Sequence, residues 1–355
     1  MDIHFDVVER SDIDEARWNE FVDSAPEAWF WHRWEYIDAL STWRDREDRS
    51  LTAVERSSGL VGIIPLQAVR SHRSKVVPYR FLDSMGGIAV RGDLAPRMAR
   101  RVRSALLEAV DRVAEETKAV EIRATLSPLA PAFRPPSAPR VNPLLSTGFS
   151  DTSTSTWILR IDREERSMWE GMEGRARTAV RKAEQAGITV RRGGAADLDL
   201  YYRLHRETYE RTGARPHPRV YFAAIFEGSL VSGLNRIWIA ERDGEALAAG
   251  NFAWYKDAVW YWTGAAGSAG LRDGATSLVQ WAAIRAMVQD RVGCYELGEA
   301  HLHPSDGKRH RLSEFKRSFG GELAPLFRGR IDRRPVLRQA LDLVSLIRHR
   351  GGSGV

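Results

Sequence analysis

A single cysteine stands in 355 residues, so the chain has no internal disulfide to draw on. Cys294 lies in the strand-like stretch "CYELG" and reads as a small core residue rather than a nucleophile. No apolar run approaches the roughly eighteen residues that span a bilayer. The opening "MDIHFDVVERSD" has neither the basic nor the apolar region of a signal peptide, so the expected location is the cytoplasm. Proline is sparse except in one place, because six of the fifteen fall between Pro128 and Pro143. Proline removes a backbone donor and fixes φ, so that stretch reads as a linker or an ordered surface loop. A domain boundary is placed near residue 150. Acidic charge falls short of basic charge, with 47 Asp and Glu against 53 Lys and Arg and a net charge of +6. That excess leans toward polyanionic partners.

What is present is a hairpin written twice. "LTAVERSSGLVGIIPLQAV" at 51–69 and "RIWIAERDGEALAAGNFAWY" at 236–255 are each an alternating apolar run, a glycine-containing turn and a longer apolar run. Asp243-Gly244 supplies the positive φ of a tight hairpin turn. Each hairpin is followed by a third strand ("VVPYRFLD", "AVWYWTG"), a helix and a short strand ("AVEIRA", "CYELG"). The first helix, from about Ala95 to Thr117, puts Val102, Ala105, Leu106, Ala109, Val110 and Val113 on one face. The second carries Leu278, Trp281, Ala282 and Ile284. Ahead of the second hairpin, "TSTWILRID" reads as a strand, "SMWEGMEGRARTAVRKAEQAG" as one helix ended by Gly187, and "ITVRRG" as a strand. The segment from Arg328 to Arg350, seven Arg against two Asp, reads as an amphipathic helix with Leu337, Ala340, Leu341, Val344 and Ile347 on one face.

Meander, helix and strand in that order resemble the GNAT-type acyltransferase fold. The stretches "FWHRWEYIDAL", "LVGIIPL", "RARTAVRKAEQAGITV", "LHRETYERTGARP", "ERDGEALAAG" and "SEFKRSFGGE" together resemble the FemAB family of aminoacyl-tRNA-dependent transferases and its BioF2-like and CelD-like relatives. They span residues 29 to about 327 in order. The resemblance implies an α/β fold of mixed sheets, built as two tandem GNAT-like domains over residues 1–150 and 151–327, with 328–355 as a basic helix packing back on the first. The duplicated fold would explain the duplicated hairpin.

The implied chemistry is acyl transfer to an amine, which needs an activated donor, a deprotonated acceptor and positive charge near the developing oxyanion. Phe315-Lys316 matches the family's phenylalanine-lysine pair, whose lysine meets the donor's ribose ester. Arg211, in "YERTG", matches an arginine that binds phosphates of a nucleotide-linked acceptor. Trp34 and Tyr261 are the other acceptor-side candidates. Asp93 falls near a family aspartate proposed as base, and is read first as the N-cap of the helix beginning near Ala95. Where cell-wall members carry a lysine that grips a diphosphate, a turn after Trp34, this chain has Asp38; an anion there argues against a diphosphate-linked acceptor, and the expected acceptor is a small amine of specialised metabolism.

For the donor, aminoacyl-tRNA is the expectation and acyl-CoA the alternative. In "GSAGLRDGATSLVQW" Leu271 and Thr276 depart from the Q/R-x-x-G-x-G/A loop that cradles CoA pyrophosphate, although Gly274 is kept. Arg175, Arg177, Arg181, Lys182, Lys308, Arg309 and Arg317 are the candidate tRNA contacts, each set against the ordinary reading of a solvated basic face. Glu299, His301, His303 and His310 in "GEAHLHPSDGKRH" lack the tight spacing of a zinc site. They read instead as a polar loop in which Glu299 or His301 assists proton transfer. No cofactor is expected. The class-level alternative is a noncatalytic RNA-binding or interaction protein on the same fold.

Overall fold

The computed structural model describes residues 5–56, 59–71 and 78–338. Contacts divide the chain into two compact units, residues 1–153 with the segment from 327 onward, and residues 154–326.

The first unit opens with β1 (Phe5–Glu9), α1 (Glu15–Ser24) and α2 (Trp34–Ser41). Then come β2 (Arg46–Asp48), β3 (Leu51–Glu55), β4 (Gly59–Ile64), β5 (Gln67–Ser71), β6 (Tyr79–Met85) and β7 (Ala89–Val90). α3 (Pro96–Glu116) leads to β8 (Glu121–Thr125), and an irregular stretch ends at β9 (Ser150–Asp151). α3 starts with proline at its first position, where the missing N–H costs nothing. It buries Val102, Leu106, Ala109, Val110 and Val113, the stripe that the periodicity picked out. Gly62 lets it come close, since a Cβ there would lie 2.5 Å from Val102 Cγ1.

The run from Leu60 to Val69, expected as one strand, is two. Pro65 has no N–H to continue a ladder, and the chain changes sheet there. β4 joins the four-stranded sheet β1-β3-β4-β7, whereas β5 joins β2, β6 and β8 in a second sheet. β6 runs parallel to β8 from Leu82↔Ile122 to Met85↔Thr125. It then bends away at Gly86 and Gly87, whose φ values of 116° and 74° suit glycine alone. The buried His32 ring holds that bend, with Nε2 3.1 Å from the Gly87 carbonyl and Nδ1 accepting from Trp29 N–H. The bend carries the chain into β7, which pairs with β4.

The second unit begins with β10 (Thr154–Arg160), α4 (Glu165–Gly171), α5 (Gly174–Gln185) and β11 (Thr189–Gly193). α6 (Leu198–Thr212), α7 (Arg219–Ala224) and the meander β12 (Asn235–Arg242), β13 (Glu245–Tyr255), β14 (Ala258–Ala266) follow. α8 (Ser268–Arg272), α9 (Ala275–Gln289), β15 (Cys294–Glu299), α10 (Lys308–Arg317) and β16 (Glu322–Leu326) complete it. The single helix expected over 167–187 is broken into α4 and α5, because Met172 turns extended and buries its side chain. Both meander turns use paired positive φ, at Asp243-Gly244 and Lys256-Asp257, as two-residue hairpins require. One seven-stranded sheet results, in the order β11-β12-β13-β14-β15-β10-β16. Val180, Ala183, Leu278, Ile284 and Met287 from the helices pack on Trp238, Phe252 and Tyr295 of the sheet. Cys294 is buried at the start of β15.

From Phe327 the chain re-enters the first unit as β17 (Arg328–Asp332), antiparallel to β8 and to β9. This corrects the helix expected from Arg328: its first five residues are a strand, because β8 offers an unpaired edge and the backbone donors find partners there. The residues of that call from 339 onward lie outside the described residues. Among the described residues no helix is long and apolar enough to cross a membrane.

Candidate active site

The second unit's sheet contains one parallel pair, β14 with β15, and it is short. The strands pair only from Ala258↔Cys294 to Trp260↔Glu296. β14 then continues along β13 to Ala266, while β15 continues along β10 to Glu299. A wedge opens between them. Its base is packed by Tyr261, Gln280 and Tyr295: the Tyr295 hydroxyl donates to Gln280 Oε1, and the Tyr261 hydroxyl also bonds Gln280. Burial pushes Tyr261 up to about 12 and Tyr295 well above the ordinary tyrosine value, so both remain neutral.

Lys316 stands beside the far end of β15. α10 carries its ammonium to β15, where it makes a long 3.4 Å hydrogen bond to the Glu299 carbonyl. Gly298 makes room for it, since a Cβ there would lie 2.6 Å from Lys316 Nζ. Burial lowers the Lys316 pKa from the ordinary lysine value, and the nearby Glu296 and Glu299 carboxylates oppose that fall. Phe315, the preceding residue, packs on the core and edge-on against Phe319 at 5.2 Å. Glu296, which the sequence reading passed over, is buried in β15 and accepts from Thr156 Oγ1 at 2.8 Å. The one signal for it was a glutamate inside the otherwise apolar "CYEL".

The polar loop after β15 is fastened to α10. Ser313 Oγ accepts from His301 N–H at 3.0 Å and from Trp157 Nε1–H at 2.9 Å. His310 Nδ1 lies 3.0 Å from the His301 carbonyl, and His303 Nδ1 lies 2.6 Å from Ser305 Oγ. Glu299 and His301 thus sit at the same end of β15 as Lys316. Among the described residues no three His, Cys, Asp or Glu side chains are grouped to hold a metal. Arg211 reaches the other strand of the wedge, donating to the Ala266 carbonyl at the end of β14 from 3.2 Å.

The basic candidates separate sharply. Arg175 and Arg317 share Glu173 and Glu314 in one ion-pair network. Arg177 donates to the carbonyls of Glu170 and Met172, Arg181 lies over the Trp169 ring, and Lys182 caps the Arg272 carbonyl at 2.6 Å. Lys308 and Arg309, at the start of α10, are exposed and make no side-chain bond among the described residues.

Two candidates belong to the first unit. Asp93 does not cap α3, whose N-cap is Ala95; its exposed carboxylate instead takes the Arg91 guanidinium at 2.6 Å. Trp34 is covered on one face by the Arg10 guanidinium, 3.8 Å from the ring centre. Asp38 and Asp48 each hold Arg10 at 2.7 Å. The anion at position 38 is therefore the partner of a buried arginine.

Residues 172–317 match the family model described as an acetyltransferase (GNAT) domain. Over 164 residues the chain is 26% identical to a UDP-N-acetylmuramoylpentapeptide-lysine N(6)-alanyltransferase of Weissella viridescens. That match takes in 45% of this chain and 46% of the relative, so it spans about half the relative's length. Among solved structures, FemX superposes with a TM-score of 0.69 at 16% identity, covering 94% of this chain and 99% of FemX. A tandem GNAT protein from the clavulanic acid biosynthesis pathway superposes with a TM-score of 0.54 at 14% identity, covering 93% and 98%. The protein therefore has a mixed α/β fold of two GNAT-like domains. Within that class its fold is FemX-like.

Proposed function

We propose that the second unit is an N-acyltransferase that moves an aminoacyl group from aminoacyl-tRNA to the amine of a small acceptor. The observation that carries this reading is the Lys316 ammonium, set against Gly298 on β15 with one long hydrogen bond among the described residues. Its remaining N–H donors are free for a ligand. The family match over 172–317 and the alanyltransferase named for the Weissella viridescens relative support the reaction class.

In the proposed step the acceptor nitrogen attacks the ester carbonyl carbon, forming the C–N bond. The bond from that carbon to the ribose oxygen breaks, the ribose oxygen takes a proton, and the nitrogen loses one. Lys316 stabilises the negative charge on oxygen as it develops. Glu299 or His301 relays the nitrogen's proton, and Phe315 fixes the direction of Lys316. Arg211 orients the acceptor beside β14. Asp93 is paired with Arg91 and one face of Trp34 with Arg10, and this reading gives neither a role in the step.

Acyl-CoA is the less favoured donor. Gly274 caps α9 with the Ala179 carbonyl pressed against it, and Lys182 is already spent on the carbonyl of Arg272. An electronegative oxygen at the helix start opposes a pyrophosphate there. The deciding assay offers single aminoacyl-tRNAs with a panel of amines, with and without ribonuclease. Product that vanishes with ribonuclease supports the reading. Turnover of CoA thioesters alone replaces it with the acyl-CoA reading, and RNA binding without product for any donor replaces it with a noncatalytic role.

A further inference from the structure

The first unit has its own wedge. β6 leaves β8 at Gly86–Gly87 and turns into β7, as β14 leaves β15 in the second unit. A cavity of about 270 Å³ lies at that parting. Ile88 from the departing chain, Ala124 from β8 and Leu126 just after it, Leu107 from α3, and Leu144 and Phe149 from the segment before β9 form its apolar walls. An apolar cavity of about 150 Å³ holds six-carbon benzene, so this one suits a chain of roughly ten carbons or fewer.

One charged pair marks its polar end. Glu27 and Arg103 both line the cavity, joined at 2.7 and 3.1 Å through Nη2 and Nη1. Glu27 also accepts from Val90 N–H at 3.1 Å, so three donors converge on its carboxylate. Arg103 keeps its Nε–H without a partner among the described residues. The hydroxyls of Ser146 and Thr147, also at the cavity, already donate to the Pro143 and Leu144 carbonyls. The Arg103 Nε–H is thus a spare donor, beside a pair whose charges cancel. It calls for an uncharged acceptor, a carbonyl oxygen, rather than a carboxylate that would face Glu27 or an ammonium that would face Arg103.

We infer that the first unit binds a neutral medium-chain acyl compound, its alkyl chain between β8, α3 and the Leu144–Phe149 segment and its carbonyl oxygen toward Arg103. This site lies wholly in the first unit and stands whether or not the second unit transfers an aminoacyl group. Its test needs no transfer activity.

Octanamide titrated into the full chain, followed by calorimetry and by methyl NMR of Ile88, Leu107 and Leu126, should bind with a Kd of about 0.1–1 mM. Acetamide should not bind at the same concentrations. Ala124→Leu fills the cavity from β8 and should weaken octanamide by about tenfold or more. Leu107→Trp, at the half-exposed rim, supplies the same loss if the first variant fails to fold. Arg103→Gln should weaken octanamide about fivefold while leaving the methyl shifts at the same positions. No binding at about 10 mM, or binding indifferent to a folded filling variant, overturns the site. Octanoate binding tighter than octanamide overturns the neutral head group.

Discussion

Replacing Gly298 by alanine tests the position of Lys316 without touching Lys316. The new Cβ would stand 2.6 Å from Nζ and 3.4 Å from Cε, so the end of the lysine side chain must yield. A normal contact of about 3.5 Å requires the ammonium to move by roughly 1 Å. Displacement of a catalytic group by about 1 Å costs on the order of a hundredfold in rate. Gly298 also has φ of 103°, where a side chain adds about 1–3 kcal/mol of backbone strain. Two losses are thus expected, one in stability by urea unfolding and one in single-turnover transfer measured with the donor and acceptor found in the amine screen. The second should vanish once the ammonium is gone. Gly298→Ala in a Lys316→Ala background should then slow transfer no further, a coupling as large as the single effect. Fully additive rate losses, or an alanine variant that is destabilised but transfers at the wild-type rate, would refute the placement of Lys316 at the reacting ester.

Lys316→Ala should slow transfer by about a hundredfold to a thousandfold, or about 2.7–4 kcal/mol, with little change in donor affinity; Lys316→Arg should rescue poorly because a planar fork replaces a point charge. Arg317→Ala, which leaves Glu173 and Glu314 to Arg175, serves as its comparison and should change affinity and rate little. If tRNA is the donor, Lys308→Ala with Arg309→Ala should lower its affinity and flatten the salt dependence, whereas Arg177→Ala should act on stability, not on the salt slope. Acid should weaken the second unit through His205, whose Nε2 accepts from His217 N–H in a fully buried position. Burial first, and His217 second, lower its pKa to about 3, against an ordinary 6.5. Its contribution is therefore complete above the unfolded value and lost as pH falls toward the folded one. Between pH 6.5 and about 4.5 the unfolding free energy should drop by up to about 2.7 kcal/mol, and His205→Gln should abolish that drop in urea titrations.

Local order was legible in the sequence because it rests on neighbours. Alternation and the Asp243-Gly244 turn set the β12–β13 hairpin, and the 3.6-residue stripe of α3 set its buried face. The order of hairpin, strand, helix and strand, written twice, defined a duplicated mixed α/β fold, and the quoted motifs pointed to the FemAB resemblance. Pro65 was visible too, yet a missing donor marks a break without saying which sheet receives each half. Only the folded chain decided that β4 and β5 part company, that β17 returns to β8, and that β14 and β15 separate after three pairs. The same holds for charge. Seven basic residues look alike in a string, but Glu173 and Glu314, distant from one another in sequence, neutralise Arg175 and Arg317 while Lys308 and Arg309 stay bare. Periodicity and turn chemistry act over a few residues, whereas the burial that lowers the Lys316 pKa, the Glu296 and Glu299 carboxylates that oppose it and the room left by Gly298 come from packing against another element, which no local pattern encodes.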